Sequence, residues 1–280
     1  MRICVISDIH SEIIKLDAVM KNVGNVDGII FLGDLFDRGV DSHVTYKLFK
    51  KWFEEKNHNS QWICGNHDRA ILYSLLPDAH PDLINYFTTI ADDYRDTCKL
   101  RAMGIPVGHA EMVANRPVYG EATLGGLRVY MTHGFPHNDD IKKATQYDYQ
   151  CHPNNGTSPT EVAGLINNAH ILLVGHSHCQ TAWLYTAGEQ AGWTQWIPDF
   201  GTALDGTIGG IVVGEFGATL DFSDLPEGSF LILNPGSVGS PRDPRASMNE
   251  ANRAFTQYLV LEIDDMRISA KYKTMQLKEG

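Results

Sequence analysis

Over the first seventy residues short apolar runs alternate with amphipathic stretches, and each run ends in residues suited to holding a ligand. Arg2 to Ser7 reads as a buried strand ending in Asp8-Ile9-His10. Behind it Ser11 offers an N-cap, and Ile13, Leu16, Met20 and Val23 make one apolar helical face. The second apolar run, Gly28 to Leu32, delivers Gly33-Asp34-Leu35-Phe36-Asp37-Arg38-Gly39. Asp41 can then cap a helix carrying Val44, Leu48, Phe49, Trp52 and Phe53. A third strand, Gln61 to Cys64, ends in Gly65-Asn66-His67-Asp68. Three β-α units in succession predict an α/β fold, in which ligands sit at the C-terminal ends of the strands.

The pattern then becomes less regular. Leu83, Tyr86, Phe87, Ile90 and Tyr94 behind Pro81 predict a helix over about 82–100, whereas 103–116 predicts no element. Glu121 to Leu124, Gly125-Gly126 and Leu127 to Thr132 form a hairpin signal that runs into His133-Gly134. A helix capped near Ser158 and opened by Pro159 precedes Ile171 to Val174, a strand ending in Gly175-His176-Ser177-His178. The glycine-rich stretch 188–228 reads as an insertion of short strands and turns. Its Trp193, Trp196, Ile197 and Phe200 are apolar enough for packing on the body or for a wall beside the substrate. Phe230 to Leu233 is a strand before the loop from Asn234-Pro235-Gly236-Ser237-Val238 to Pro241-Arg242, and 255–263 and 267–274 form a closing hairpin. No repeat or charged linker divides the chain, so 1–280 reads as a single domain.

Composition narrows the partners. A formal net charge of −11 with no basic run excludes sequence-independent binding to nucleic acid or to an anionic membrane. No stretch of about 18 apolar residues occurs, and the chain runs from Met1 straight into a strand, so a cytoplasmic protein is expected. Cys4, Cys64, Cys98, Cys151 and Cys179 are odd in number and lack CxxC spacing, which predicts free thiols.

Residue type carries the chemistry. Asp8, His10, Asp34, Asn66, His133, His176 and His178 supply oxygen and imidazole donors without thiolate, a set that suits manganese, iron or zinc. Seven residues serve two ions at about four ligands each if one carboxylate bridges. Two such ions outweigh the charges of Asp8 and Asp34, and Arg38 adds another, so the site is cationic within an anionic protein. Asp68 opens a helix, where its charge favours the positive N-terminus, and the alternative is a supporting role beside the site. Arg242 and Arg245 read as solvated loop arginines at least as readily as substrate contacts, and His43, His58, His80, His109, His137, His152 and His170 match no motif.

In this order, Asp8-x-His10, Gly33-Asp34-x-x-Asp37-Arg38-Gly39, Gly65-Asn66-His67-Asp68, His133-Gly134 and Gly175-His176-x-His178 resemble the motif set of the calcineurin-like metallophosphoesterases. The resemblance implies a β-sandwich flanked by helices on both sides. It implies that Asp8, His10, Asp34 and His178 hold one ion and Asp34, Asn66, His133 and His176 the other, with Asp34 bridging. It further implies that His67 protonates the leaving group, that Asp37 orients His67, and that Arg38 holds a phosphate oxygen. Asp37-Arg38-Gly39 is similar to the serine/threonine protein phosphatases and the symmetrical diadenosine tetraphosphate hydrolases. The paired histidines and the Asn234 loop are similar to small prokaryotic phosphoesterases and phosphodiesterases.

Arg38 favours a phosphomonoesterase acting on a phosphorylated small molecule, nucleotide or phosphoprotein, because a monoester dianion leaves a charged terminal oxygen for a guanidinium. The alternatives are a phosphodiesterase or dinucleoside polyphosphate hydrolase and, in a different class, a metal-stabilised scaffold without turnover. A scaffold tolerates loss of Asp34, Asn66 or His67, and all three are present.

Overall fold

The structure, a computed structural model, describes residues 1–39, 41–75, 104–134, 159–196, 207–208, 211–241 and 255–277. Two sheets stack face to face. The first runs, from edge to edge, β3 (Gln61–Trp62), β2 (Gly28–Phe31), β1 (Arg2–Ile6), β12 (Phe255–Asp264), β13 (Arg267–Gln276), β10 (Ile211–Asp221) and β9 (Thr207–Ile208). The second runs β4 (Tyr119–Leu124), β5 (Leu127–Thr132), β6 (Ile171–Val174), β11 (Phe230–Pro235), β7 (Gln180–Thr186) and β8 (Gly192–Trp196). β1, β2 and β3 are parallel, as are β5, β6 and β11, and the remaining pairings are antiparallel.

The alternation of side chains explains why these runs are apolar throughout: each central strand is buried on both faces. Ile3, Val5, Ile30 and Leu32 point between the sheets, where they meet Val129, Met131, Ile171, Leu173, Leu231 and Leu233. Their neighbours Cys4, Ile6, Ile29 and Phe31 point outward onto helices α1 (Ile13–Asn22), α2 (Ser42–Glu55), α3 (Asn66–Leu75) and α4 (Val107–Ala114). On the far side Leu172, Val174 and Ile232 pack on Val162 and Ile166, from α5 (Pro159–Leu165) and the turn after it. The result is the helix-flanked β-sandwich that the motif set implies.

Several local expectations change. α4 forms behind Pro106, where the pattern predicts no element, and buries Ala110 and Val113. Glu12, not Ser11, sits at the N-cap of α1, and Ser11 Oγ instead hydrogen-bonds Ser42 Oγ at 2.7 Å, joining the first two loops. Asp41 occupies the N-cap position of α2 without a side-chain capping bond. β3 is only two residues long, and β7 was not anticipated. Within 188–228, β10 pairs with β13 from Val212 to Asp221, despite Gly214 and Gly217. Trp193 packs on Trp183, Tyr185 and Phe230, which fits body packing. The helix expected over 82–100, Ser158, the Trp196 side chain, Ile197, Phe200, His80, His137, His152, Arg242 and Arg245 lie outside what is described. Cys4, Cys64 and Cys179 are free thiols. Among the described residues no helix is long and apolar enough to cross a membrane.

Candidate metal centre

The loops after β1, β2, β3, β5 and β6 meet above the C-terminal edge of the sandwich and bring all seven candidate ligands into one buried cluster. Sharp reversals place them there. Asp8, His10, Ser11, Asp34, Asp37, Arg38, His176 and His178 all have positive φ, between 51° and 74°, a region that costs non-glycine residues energy and concentrates at functional sites. The Asp34 and Gly65 loops approach so closely that a Cβ on Gly65 would meet Asp34 Oδ1 at 2.0 Å.

Three histidines are fixed in one tautomer. His10 Nδ1–H donates to Phe36 O at 3.2 Å, His133 Nδ1–H to Leu32 O at 2.6 Å, and His178 Nδ1–H to Ser240 O at 2.7 Å. A carbonyl only accepts, so each Nε2 turns to the centre as a potential donor of electrons to a metal. The two carboxylates are held in the same manner. His176 N–H donates to Asp8 Oδ2 at 3.1 Å and His67 N–H to Asp34 Oδ1 at 2.8 Å, while the second oxygens, Asp8 Oδ1 and Asp34 Oδ2, are buried and accept no hydrogen bond.

Electron-rich atoms therefore converge. His10 Nε2 and His178 Nε2 are 3.1 Å apart, and His178 Nε2 is 3.0 Å from Asp8 Oδ1. His133 Nε2 lies 3.1 Å from Asp34 Oδ2 and 3.1 Å from Asn66 Oδ1. Such a set repels itself unless cations lie within it. Two triads satisfy the spacing of metal ligands: Asp8, His10 and His178, and Asp34, His133 and His176. Asp34 also joins His10 and His67 in a third. These donors fit metal ions, and Asp34, which belongs to the second triad and also lies near His10, links the two triads.

Protons do part of that work in the metal-free chain. Burial opposes a charge on His133, but the nearby Asp34 carboxylate outweighs burial and raises the imidazole pKa to about 10. Burial likewise works against the carboxylates, yet His178, His133 and His10 hold Asp8, and His133, His67 and His10 hold Asp34, below the usual range. His176 is pushed down to about 3 by burial and then by His133, and His10 is lowered by burial and His67, so both stay neutral and able to ligate.

Beside the cluster, His67 Nδ1–H donates to Asp37 Oδ2 at 2.6 Å, and His67 Nε2 faces inward, 3.9 Å from Asp34 Oδ2. Arg38 is half-buried, its N–H donates to Asp37 Oδ1, and its guanidinium has no carboxylate partner among the described residues.

The profile of the calcineurin-like phosphoesterases matches residues 1–180, well over half of the chain. The chain belongs to that family. It is 26% identical over 273 residues to an uncharacterized protein of Methanocaldococcus jannaschii, covering 97% of this chain and 88% of that one. Its fold is similar to the crystal structure of a metallophosphoesterase from Sphaerobacter thermophilus, with TM-score 0.57 and 22% identity over 96% of this chain and 87% of that one. It is also similar to a hypothetical protein of Pyrococcus horikoshii OT3, with TM-score 0.60 and 14% identity over 100% and 88%.

This calcineurin-like phosphoesterase also uses residues outside the candidate ligand and catalytic set to hold the centre in place. Asp68, read as a favourable charge at a helix start, is fully buried and accepts four backbone N–H groups, those of Asp34, Leu35, Phe36 and Gly65. It ties the second and third loops together. Burial and then Asp34 push its pKa up to about 7, against the lowering effect of the Gly65 and Phe36 amides. Asn234 donates to Gly175 O at 2.8 Å and Ser177 Oγ at 2.9 Å, pinning the paired-histidine loop. Ser237 Oγ donates to Asp8 O, and buried Lys15 donates to Gly239 O in the turn whose next carbonyl orients His178. A polar residue directly after a strand tip or in the facing loop is the available signal, and it does not separate a buttress from a solvated loop.

Proposed function

We propose that the protein is a dinuclear metal-dependent phosphoesterase and, within that class, a phosphomonoesterase. The convergence of the buried oxygens Asp8 Oδ1 and Asp34 Oδ2 with the Nε2 atoms of His10, His133 and His178 supports the metal reading. Bound there, two divalent or trivalent ions of manganese, iron or zinc supply Lewis acidity toward a phosphoryl group and a nucleophile drawn from water at neutral pH. Asp8, His10, Asp34 and His178 would hold one, and Asp34, Asn66, His133 and His176 the other.

The chain's own residues complete the reaction. His67 presents Nε2 to the leaving oxygen as general acid, and Asp37 fixes the ring from behind through Nδ1. Arg38, without a carboxylate partner among the described residues, offers its guanidinium to a terminal phosphate oxygen. A monoester dianion presents charge at that position and a diester presents an esterified oxygen, so Arg38 favours the monoester. We expect kcat/KM for p-nitrophenyl phosphate to exceed that for bis-p-nitrophenyl phosphate. Arg38→Ala should shrink that ratio by roughly 10- to 100-fold, the scale of one hydrogen bond to a charged group. A wild-type preference for the diester, with Arg38→Ala lowering both alike, would make the protein a phosphodiesterase instead.

A further inference from the structure

Outside the centre already described, two histidines that match no motif meet across two helices. His43, on the first turn of α2, and His109, on the first turn of α4, are both half-exposed, and their Nδ1 atoms lie 3.3 Å apart. The ring planes are nearly parallel, 11° apart with centroids 5.1 Å apart, and one Nδ1–H can donate to the other Nδ1 as a shared proton. The pair is braced on both sides. Tyr46 packs its ring on His109 at 4.3 Å, and Ser42, one residue before His43, is tied to Ser11.

The spacing is informative. Two nitrogens bound to one tetrahedral ion at about 2.0–2.1 Å are separated by about 3.3–3.4 Å, the edge of that tetrahedron. The pair already has this separation. We propose that His43 and His109 form a separate surface site for one borderline transition-metal ion, zinc or copper(II), with water completing the coordination. For both Nδ1 atoms to bind, the ring that donates the shared proton carries it on Nε2 instead, so no net proton is released when both rings are neutral. Burial and the neighbouring His43, Lys47 and Lys50 lower the His109 pKa, which keeps the ring neutral and able to ligate. Those two lysines also disfavour a hard ion held by charge alone, and no carboxylate ligand joins the pair in a described cluster. An ion there would clamp α4, which packs on the helix that begins with Asn66 and His67, to α2, which begins just after Arg38.

The test is zinc binding by equilibrium dialysis to manganese-loaded wild type, His43→Gln, His109→Gln and Asp34→Asn. Wild type should bind one zinc more than either histidine variant, or that zinc should bind each variant about tenfold more weakly or worse. The extra zinc should persist in Asp34→Asn, whose principal centre is impaired, so this result is separable from failure of the dinuclear reading. Unchanged melting temperatures without added metal confirm that the variants are folded. Equal zinc uptake by wild type and both histidine variants would overturn the proposal and leave the pair as a shared-proton hydrogen bond.

Discussion

Asp34 Oδ2 lies 3.1 Å from His133 Nε2, 3.9 Å from His67 Nε2 and 4.0 Å from His10 Nε2, so one oxygen faces every part of the proposed chemistry. Asp34→Asn weakens that oxygen's charge and should cost more bound metal than His178→Ala or His133→Ala, which each remove a ligand to one ion. Elemental analysis of the three variants decides this, and two tightly held ions in Asp34→Asn would refute the shared role. His67→Asn should slow hydrolysis of an alkyl or seryl phosphate far more than that of p-nitrophenyl phosphate, because a stable phenolate leaves without a proton. Equal loss on both would assign His67 to positioning. The raised pKa of His133, about 10 against an ordinary 6.5, adds a pH signature. In chelated protein its pairing with Asp34 stabilises the fold fully below about pH 6.5 and is lost as pH rises through about 10. Asp8 and Asp34, with lowered values, act oppositely: their contribution is present above about pH 4 and lost on further acidification. The melting temperature of chelated protein should therefore fall between pH 7 and 10, and bound metal, which keeps His133 unprotonated, should flatten that fall. A chelated melting temperature that rises over this range would contradict the pairing.

At the scale of elements, the strands and their tips were legible because each tip carries residues that neither a turn nor a core requires: Asp8 and His10, Asp34 and Asp37, Asn66 and His67, and the paired histidines. What joins the tips was not legible. Asp68 holds two loops through four amides, an arrangement set by tertiary approach and invisible in a helix-start pattern. α4 was obscured because Pro106 stands directly before it and Gly108 interrupts an eight-residue segment whose helix depends on packing more than on propensity. Asp68→Ala leaves four buried amides without their charged acceptor and should destabilise the fold by about 3 kcal/mol or more, read as a lower denaturation midpoint. Gly65→Ala drives a methyl into Asp34 Oδ1 and should weaken metal binding by roughly 10- to 100-fold. Normal metal content in that variant would show that the loop yields where the close approach says it cannot.

Across the whole molecule, two stacked sheets whose central strands are buried on both faces supply the rigidity that the centre needs, since its ligands sit in backbone conformations that only a firm surround maintains. The chain carries a net charge of −11, yet its centre gathers imidazoles, Arg38 and carboxylates poised for cations. Bound metal should therefore raise the positive charge of this centre, as the proposed phosphoesterase chemistry requires. The most direct test measures metal content and turnover on the same sample: chelated protein is reloaded with manganese, freed of excess, and assayed with p-nitrophenyl phosphate. The account predicts two ions per chain, turnover that appears with them, and loss of both in Asp34→Asn. Turnover unaffected by chelation, or two retained ions with no hydrolysis of either p-nitrophenyl ester, would contradict it.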